Sequence, residues 1–238
     1  MNRLLLAATA ILGCALGYTP PASANVVVLN FAGLNGAAQE QPLNYYNGGT
    51  GGLGSGPGTN YGISFPSNVV SCVGIDTNSS GCNIAEIPGG PGANSIFFLT
   101  GTADNMDVPA GFTTGFSFFY TSIISPGSVS VFSGLDGTGA LLASLPLPTT
   151  PAAGNAGCGT AQFCPYVPIG VTFSGTAESV SFSGDENAIA FADITLGSAT
   201  AGNAVPEPES LALLVAGLVG VGVVRRRRPR QVALTLSR

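Results

Sequence analysis

The 238-residue chain contains no histidine, no lysine and no tryptophan. A Ser/His/Asp or Cys/His catalytic set cannot be assembled without His, and His-ligated metal sites are excluded with it. Charged residues make up only 8% of the chain, against a usual share of about 25%, which fits neither a typical cytosolic enzyme nor a solvated disordered tail. The 35 glycines and 17 prolines stay just below the roughly 25–30% share that marks low-complexity chains. A folded protein of one or two domains is expected.

Cations of any kind are missing from the middle. All seven basic residues are arginines, Arg3, Arg225, Arg226, Arg227, Arg228, Arg230 and Arg238, so the segment from Asn25 to Ala204 has none while holding all the acids except Glu207 and Glu209. Nucleic acid is excluded as a partner of that segment, because nothing in it neutralises phosphate. Side-chain salt bridges within it are equally impossible. Each carboxylate there must be solvated, hydrogen-bonded to backbone N–H groups, or paired with a cation from outside.

Both ends read as targeting segments rather than fold. Met1-Asn2-Arg3, the apolar run Leu4 to Gly17 and the small-residue Ala22-Ser23-Ala24 site form a secretory signal peptide over 1–24, cleaved after Ala24. A competing lipoprotein reading at Cys14 fits poorly, since Leu12 stands in the middle of its box. At the other end a linker over 201–209 leads into the apolar run Leu211 to Val224 and then four consecutive arginines. Pro208 stops a helix from extending upstream, Ser210 suits its N-cap, and Glu207 and Glu209 sit at its positive end. A helix over 210–224 is about 22 Å long at 1.5 Å per residue, short of a ~30 Å hydrocarbon core, so it spans by thinning the bilayer or by snorkelling of its arginines. Arg225, Arg226, Arg227 and Arg228 hold the basic tail, 225–238, in the cytoplasm, and the ectodomain lies on the other side.

The combination of Val205-Pro206-Glu207-Pro208-Glu209, a short apolar helix and an arginine cluster resembles the PEP-CTERM sorting signal of Gram-negative bacteria, over about Val205 to Arg230. The resemblance implies processing by exosortase, a membrane enzyme that cuts near the Pro-Glu-Pro, and release from the inner membrane to the cell surface or extracellular matrix. The tail from Pro229 to Arg238 departs from the family pattern, whose members end soon after the arginines.

The middle, taken as one domain over 25–200, alternates short apolar and β-branched runs with Gly, Pro, Asn and Asp clusters. Strands are expected at Val26 to Phe31, Tyr61 to Phe65, Ser95 to Leu99, Phe112 to Ser122, Ser128 to Phe132, Leu141 to Leu145, Val167 to Phe173, Ser179 to Phe182 and Ala188 to Leu196. Phe116, Phe118 and Tyr120 alternate, as do Val167, Ile169, Val171 and Phe173, giving the period of two of a half-buried strand. No stretch has a helical period. The expected fold class is all-β, an antiparallel β-sandwich of jelly-roll kind, in which two sheets each bury one face. Phe112 to Gly197 also resembles the ectodomains that precede PEP-CTERM tails, which look like galactose-binding-type jelly rolls.

Cys14 leaves with the signal peptide, so the exported chain keeps Cys72, Cys82, Cys158 and Cys164, an even number in an oxidising compartment. Of three pairings, Cys72 with Cys82 and Cys158 with Cys164 is favoured, each closing a local loop. A zinc site is disfavoured by the spacing.

Candidate chemistry is sparse. Asp76-Thr77-Asn78-Ser79-Ser80-Gly81 matches the first half of a calcium loop but lacks its closing carboxylate, since position 12 is Ile87. Resemblance to jelly-roll sugar binders implies a structural calcium held by Asp193 in the last strand with an N-terminal acid such as Glu40; Asp76 of the half-loop is the second choice. Asp104 with Asp107, and Asp185 with Glu186, read as turn acids. Tyr45-Tyr46 in the Gly-rich stretch to Gly62 is the candidate sugar-stacking platform. Three functions follow: an exported, non-catalytic surface or matrix protein associated with exopolysaccharide; a calcium-assisted carbohydrate-binding module; and a carboxylate-dependent glycosidase, which needs two acids about 5–10 Å apart across a cleft.

Overall fold

The computed structural model describes residues 26–75, 82–90, 92–122, 124–150, 158 and 161–202. The signal segment, Asp76, the sorting motif, the apolar run 210–224 and the arginine cluster lie outside the described residues. Among the described residues the structure is all-β, with ten strands and two single 3-10 turns at Gly36–Ala38 and Tyr45–Asn47. The strands are β1 (Val27–Leu29), β2 (Val69–Cys72), β3 (Ser95–Phe98), β4 (Ala103–Phe112), β5 (Gly115–Thr121), β6 (Gly127–Phe132), β7 (Leu141–Leu147), β8 (Val167–Thr172), β9 (Ala177–Ser183) and β10 (Ala190–Leu196).

They form two antiparallel sheets, one ordered β2-β3-β10-β5-β8 with β1 also on β10, the other β4-β9-β6-β7. The pairing is nested. β6 pairs β7, β5 pairs β8, β4 pairs β9 and β3 pairs β10, as in one long hairpin whose two arms are laid across both sheets. Further pairings of β10 with β5 and of β9 with β6 close that hairpin on itself. Ring alternation along β5 sends Phe116, Phe118 and Tyr120 inward, all buried. From the facing sheet Phe182 meets Phe118 edge-on at 6.2 Å and Phe191 of β10 at 4.8 Å. Such aromatic pairs add about 0.5–1.5 kcal/mol each beyond the area they bury, so the two sheets are joined at their middle by rings.

Two expectations are corrected. Asp104 and Asp107 stand not in a turn but in β4, where Asp104, Met106 and Val108 are the buried residues of one alternating face. Tyr61 to Phe65 is not a strand: it contributes one isolated bridge, Ser64 with Asp107. Its own backbone donors are committed elsewhere, Tyr61 and Ile63 both donating to the Tyr46 carbonyl.

Candidate functional sites

Glu40 is fully buried. Its Oε2 accepts the backbone N–H of Asn35 at 2.7 Å, and its Oε1 accepts those of Leu53 and Ser55, both at 3.0 Å. Burial opposes its charge, but the donors of Ser55, Asn35 and Leu53 outweigh that and hold the carboxyl below its ordinary value. Gly51 is required for this approach, because a Cβ there would stand 2.5 Å from Oε1. Glu40 therefore organises the 51–55 loop in a segment that has no side-chain cation to offer. Its expected role as a calcium ligand is corrected on this ground: both oxygens are engaged by backbone donors in a closed cradle.

Tyr45 and Tyr46 are also buried. Tyr45 donates its hydroxyl to the Ala32 carbonyl at 2.7 Å, the Tyr46 hydroxyl accepts the Phe31 N–H at 2.8 Å, and the two rings meet edge-on at 4.9 Å. Burial pushes the Tyr46 hydroxyl far above the usual phenol value, the Phe31 N–H opposing. Their expected place in a sugar platform is corrected, since rings inside the core present no face to a ligand. The aromatic side chain that does reach solvent beside them is Tyr61, 37% exposed and stacked on Tyr46 at 6.1 Å. Tyr61 borders a furrow of about 370 Å³ between the two sheets, whose other walls include Val27, Leu196, Val108 and Phe112. Thr113 and Thr176 bring hydroxyl groups to its rim. Nothing in the sequence signals the exposure of Tyr61, since it heads the alternating run Tyr61-Ile63-Phe65.

Asp193 breaks the regularity of β10. Its φ of 47° is left-handed, and the register with β5 shifts between Ala192 and Thr195, the mark of a bulge that re-aims a side chain. The carboxylate is buried and Oδ1 has no hydrogen-bond partner, so burial raises its pKa. Two glycines admit it: a Cβ on Gly89 would stand 2.5 Å from Oδ1, and one on Gly202 3.2 Å from Oδ2. A hard cation such as calcium takes about six to eight oxygen ligands, of which Asp193 would supply one. Among the described residues no three carboxylate or thiol groups gather as a metal cluster.

Asp104 is the second buried acid with an unpartnered oxygen, Oδ2; burial raises its pKa against the hydrogen bond of Asn68. Cys72 pairs with Cys82 and Cys158 with Cys164, at Cα separations of 6.0 and 5.6 Å.

Residues 204–228 match the PEP-CTERM protein-sorting motif. No curated protein matches the chain. Among solved structures, a glycoside hydrolase family 43 arabinoxylan arabinofuranohydrolase from Bacillus subtilis is 21% identical, covering 46% of this chain and 22% of that one with a TM-score of 0.33. The chain thus spans less than a quarter of that enzyme. The C-terminal CBM6 of LamC from Zobellia galactanivorans is 15% identical over 47% of this chain and 86% of that one, with a TM-score of 0.30. The K3 cleaved adhesin domain of Lys-gingipain from Porphyromonas gingivalis is 14% identical over 56% and 93%, with a TM-score of 0.33.

Proposed function

We propose that this is an exported surface or matrix protein without catalytic activity, cut by exosortase at its C-terminal motif and left outside the cell as a disulfide-stapled sandwich. The observation that carries this reading is the sorting motif at 204–228, which begins two residues after the last described residue of the fold. Exosortase and, before processing, the inner membrane are the implied partners. The two disulfides agree with an oxidising destination, and the nested strand pairing supports a jelly-roll architecture. Fractionation of a Gram-negative host that carries exosortase tests it: a shortened species outside the inner membrane is expected, and a species of full length confined to the cytoplasm overturns it.

A second reading, association with exopolysaccharide, rests on Tyr61. A tyrosine face over an apolar furrow with hydroxyls at the rim is suited to stacking on one face of a sugar ring and bonding its edge. The glycosidase reading has less support, because Asp104 points into the core and Glu40 is closed in its cradle. Glycan-array binding that Tyr61→Ala abolishes, with the melting temperature unchanged, supports the carbohydrate reading. Binding unaffected by Tyr61→Ala, or no binding by the wild type, removes the furrow from it.

A further inference from the structure

β5 turns Gly115, Ser117 and Phe119 away from the core, on the face opposite to Phe116, Phe118 and Tyr120. The register with its neighbours places Thr195 of β10 and Gly170 of β8 on either side of Ser117. This row of small residues is not open to solvent, for Ser117 and Thr195 are both fully buried. The chain that leaves β10 covers it. The Gly197 N–H donates to the Gly115 carbonyl and the Thr114 hydroxyl to the Gly197 carbonyl, at 2.9 and 2.7 Å. Ser117 Oγ then donates to the Ser198 carbonyl at 2.9 Å, and the Gly202 N–H reaches back to Thr195 Oγ1 at 3.0 Å. Ala199 lies directly over the two glycines: a Cβ on Gly115 would stand 2.6 Å from its nitrogen, and one on Gly170 would run into its carbonyl oxygen. The result is a strap, residues 198–202, seated in a furrow that only glycine at 115 and 170 leaves deep enough.

We propose that this strap is a latch upstream of the sorting motif, fixing the chain as far as Gly202 to the outer face of the larger sheet and slowing cleavage of the motif until the strap lifts. At no more than ~3.6 Å per residue, the four residues from Gly202 to Pro206 extend at most ~14 Å from the sheet. A cutting enzyme must take several extended residues around the scissile bond into its cleft, and with the strap docked a folded sandwich stands within that distance. Lifting residues 198–202 adds about 17 Å of free chain. The local opening needed breaks only the few hydrogen bonds named above, which places it at the low end of the free energies that parts of a fold open with.

The latch rests on the reading that the motif is cut, so two cleavage assays separate them, both on the full chain. In one, the processed fraction is followed in cells containing exosortase. In the other, the detergent-solubilised protein is treated with a glutamyl endoprotease and cutting after Glu209, the glutamate of the motif not followed by proline, is followed by mass spectrometry, which needs no exosortase. Gly170→Val, on the outward face of edge strand β8, removes the seat of Ala199. A six-residue Gly/Ser insertion between Asn203 and Ala204 lengthens the tether and leaves every residue of the fold in place. Both are expected to raise endoprotease cutting at Glu209 several-fold, with Gly170→Val also losing amide-exchange protection at Gly202. Exosortase processing should rise in parallel. Wild-type rates for the insertion overturn the latch, whether or not Gly170→Val folds. Absence of cellular processing alongside accelerated endoprotease cutting removes the exosortase reading and leaves the latch standing.

Discussion

The side-chain carboxylate of Glu40 receives the backbone N–H of Asn35 at 2.7 Å, and through its other oxygen it closes the 51–55 loop in a segment of the sequence that has no basic residue. Backbone donors replace the side-chain cations this segment lacks. Glu40→Ala removes the acceptor of three part-buried N–H groups, each costing up to about 1–3 kcal/mol where water does not replace the partner, and is expected to lower stability measurably in urea unfolding. Glu40→Gln keeps an acceptor oxygen and should cost distinctly less. Because the folded carboxyl lies below its ordinary value, its contribution is present above the unfolded carboxylate pKa and is lost as pH falls through the folded one. The Glu40→Gln protein should therefore lose less stability on acidification than the wild type; equal losses would dismiss the charged cradle.

Reduction of the two disulfides offers a second measurement. Loops closed over sequence separations of 10 and 6 residues are worth about 2–3 kcal/mol apiece in the chain-entropy model. Cys72→Ala/Cys82→Ala and Cys158→Ala/Cys164→Ala should each lower unfolding free energy by that amount, and the two losses should not simply add, because Asn83 beside Cys82 is hydrogen-bonded to Gln162 and Ile84 bridges Phe163 beside Cys164. A chain that unfolds at the same urea concentration with and without reductant would show that the bridges contribute nothing to the fold.

Much of the sandwich was legible because its strands carry period-two patterns: β5 and β8 were read from Phe116-Phe118-Tyr120 and from Val167-Ile169-Val171. The signals failed where another requirement overrode the pattern. In β4 the residues Asp104, Asn105, Asp107, Pro109 and Gly111 are turn chemistry locally, yet Met106 and Val108 alternate inward and tertiary pairing with β9 fixes the strand. β2 is only four residues, all buried, so it has no polar face to alternate. Tyr45 and Tyr46 looked like surface aromatics for lack of an apolar run around them, but the glycine-rich chain wraps them, with Gly56 and Gly58 close against the Tyr45 ring. The Glu40 cradle joins segments 11 to 15 residues further along by backbone groups, and backbone groups carry no signature in sequence.

Asp104 has the opposite electrostatics to Glu40. Burial raises its pKa, so the stability it contributes is fully present below the unfolded carboxylate value, about 3.9, and is lost as pH rises through the folded value. Asp104→Asn removes the charge that is costly at neutral pH, and should raise the melting temperature at pH 7 while leaving it little changed at pH 3.5. A lower melting temperature at pH 7 would mean that the Asn68 hydrogen bond outweighs burial there.

Asp193 combines the same direction of shift with a left-handed bulge and a buried oxygen without a partner, and charge burial and cation binding there can be separated by experiment. With sodium and calcium matched in ionic strength the Debye length is the same, ~10 Å at 0.1 M, so general screening of the acidic surface raises stability equally in both. A ligand that binds only the folded state adds RT ln(1 + [L]/Kd), about 2.7 kcal/mol at a hundred times Kd. Millimolar calcium is therefore expected to raise the melting temperature of the wild type beyond the matched sodium buffer, and a chelator to reverse it. Asp193→Asn should abolish that increment. In chelator at pH 7 the same variant should melt above the wild type, because it removes a buried charge whose Oδ1 has no partner in the protein. Matching curves for wild type in sodium, calcium and chelator would leave Asp193 as a strained, uncompensated acid at the bulge, and the second half of the prediction, the higher melting temperature of Asp193→Asn, would then be the one that stands.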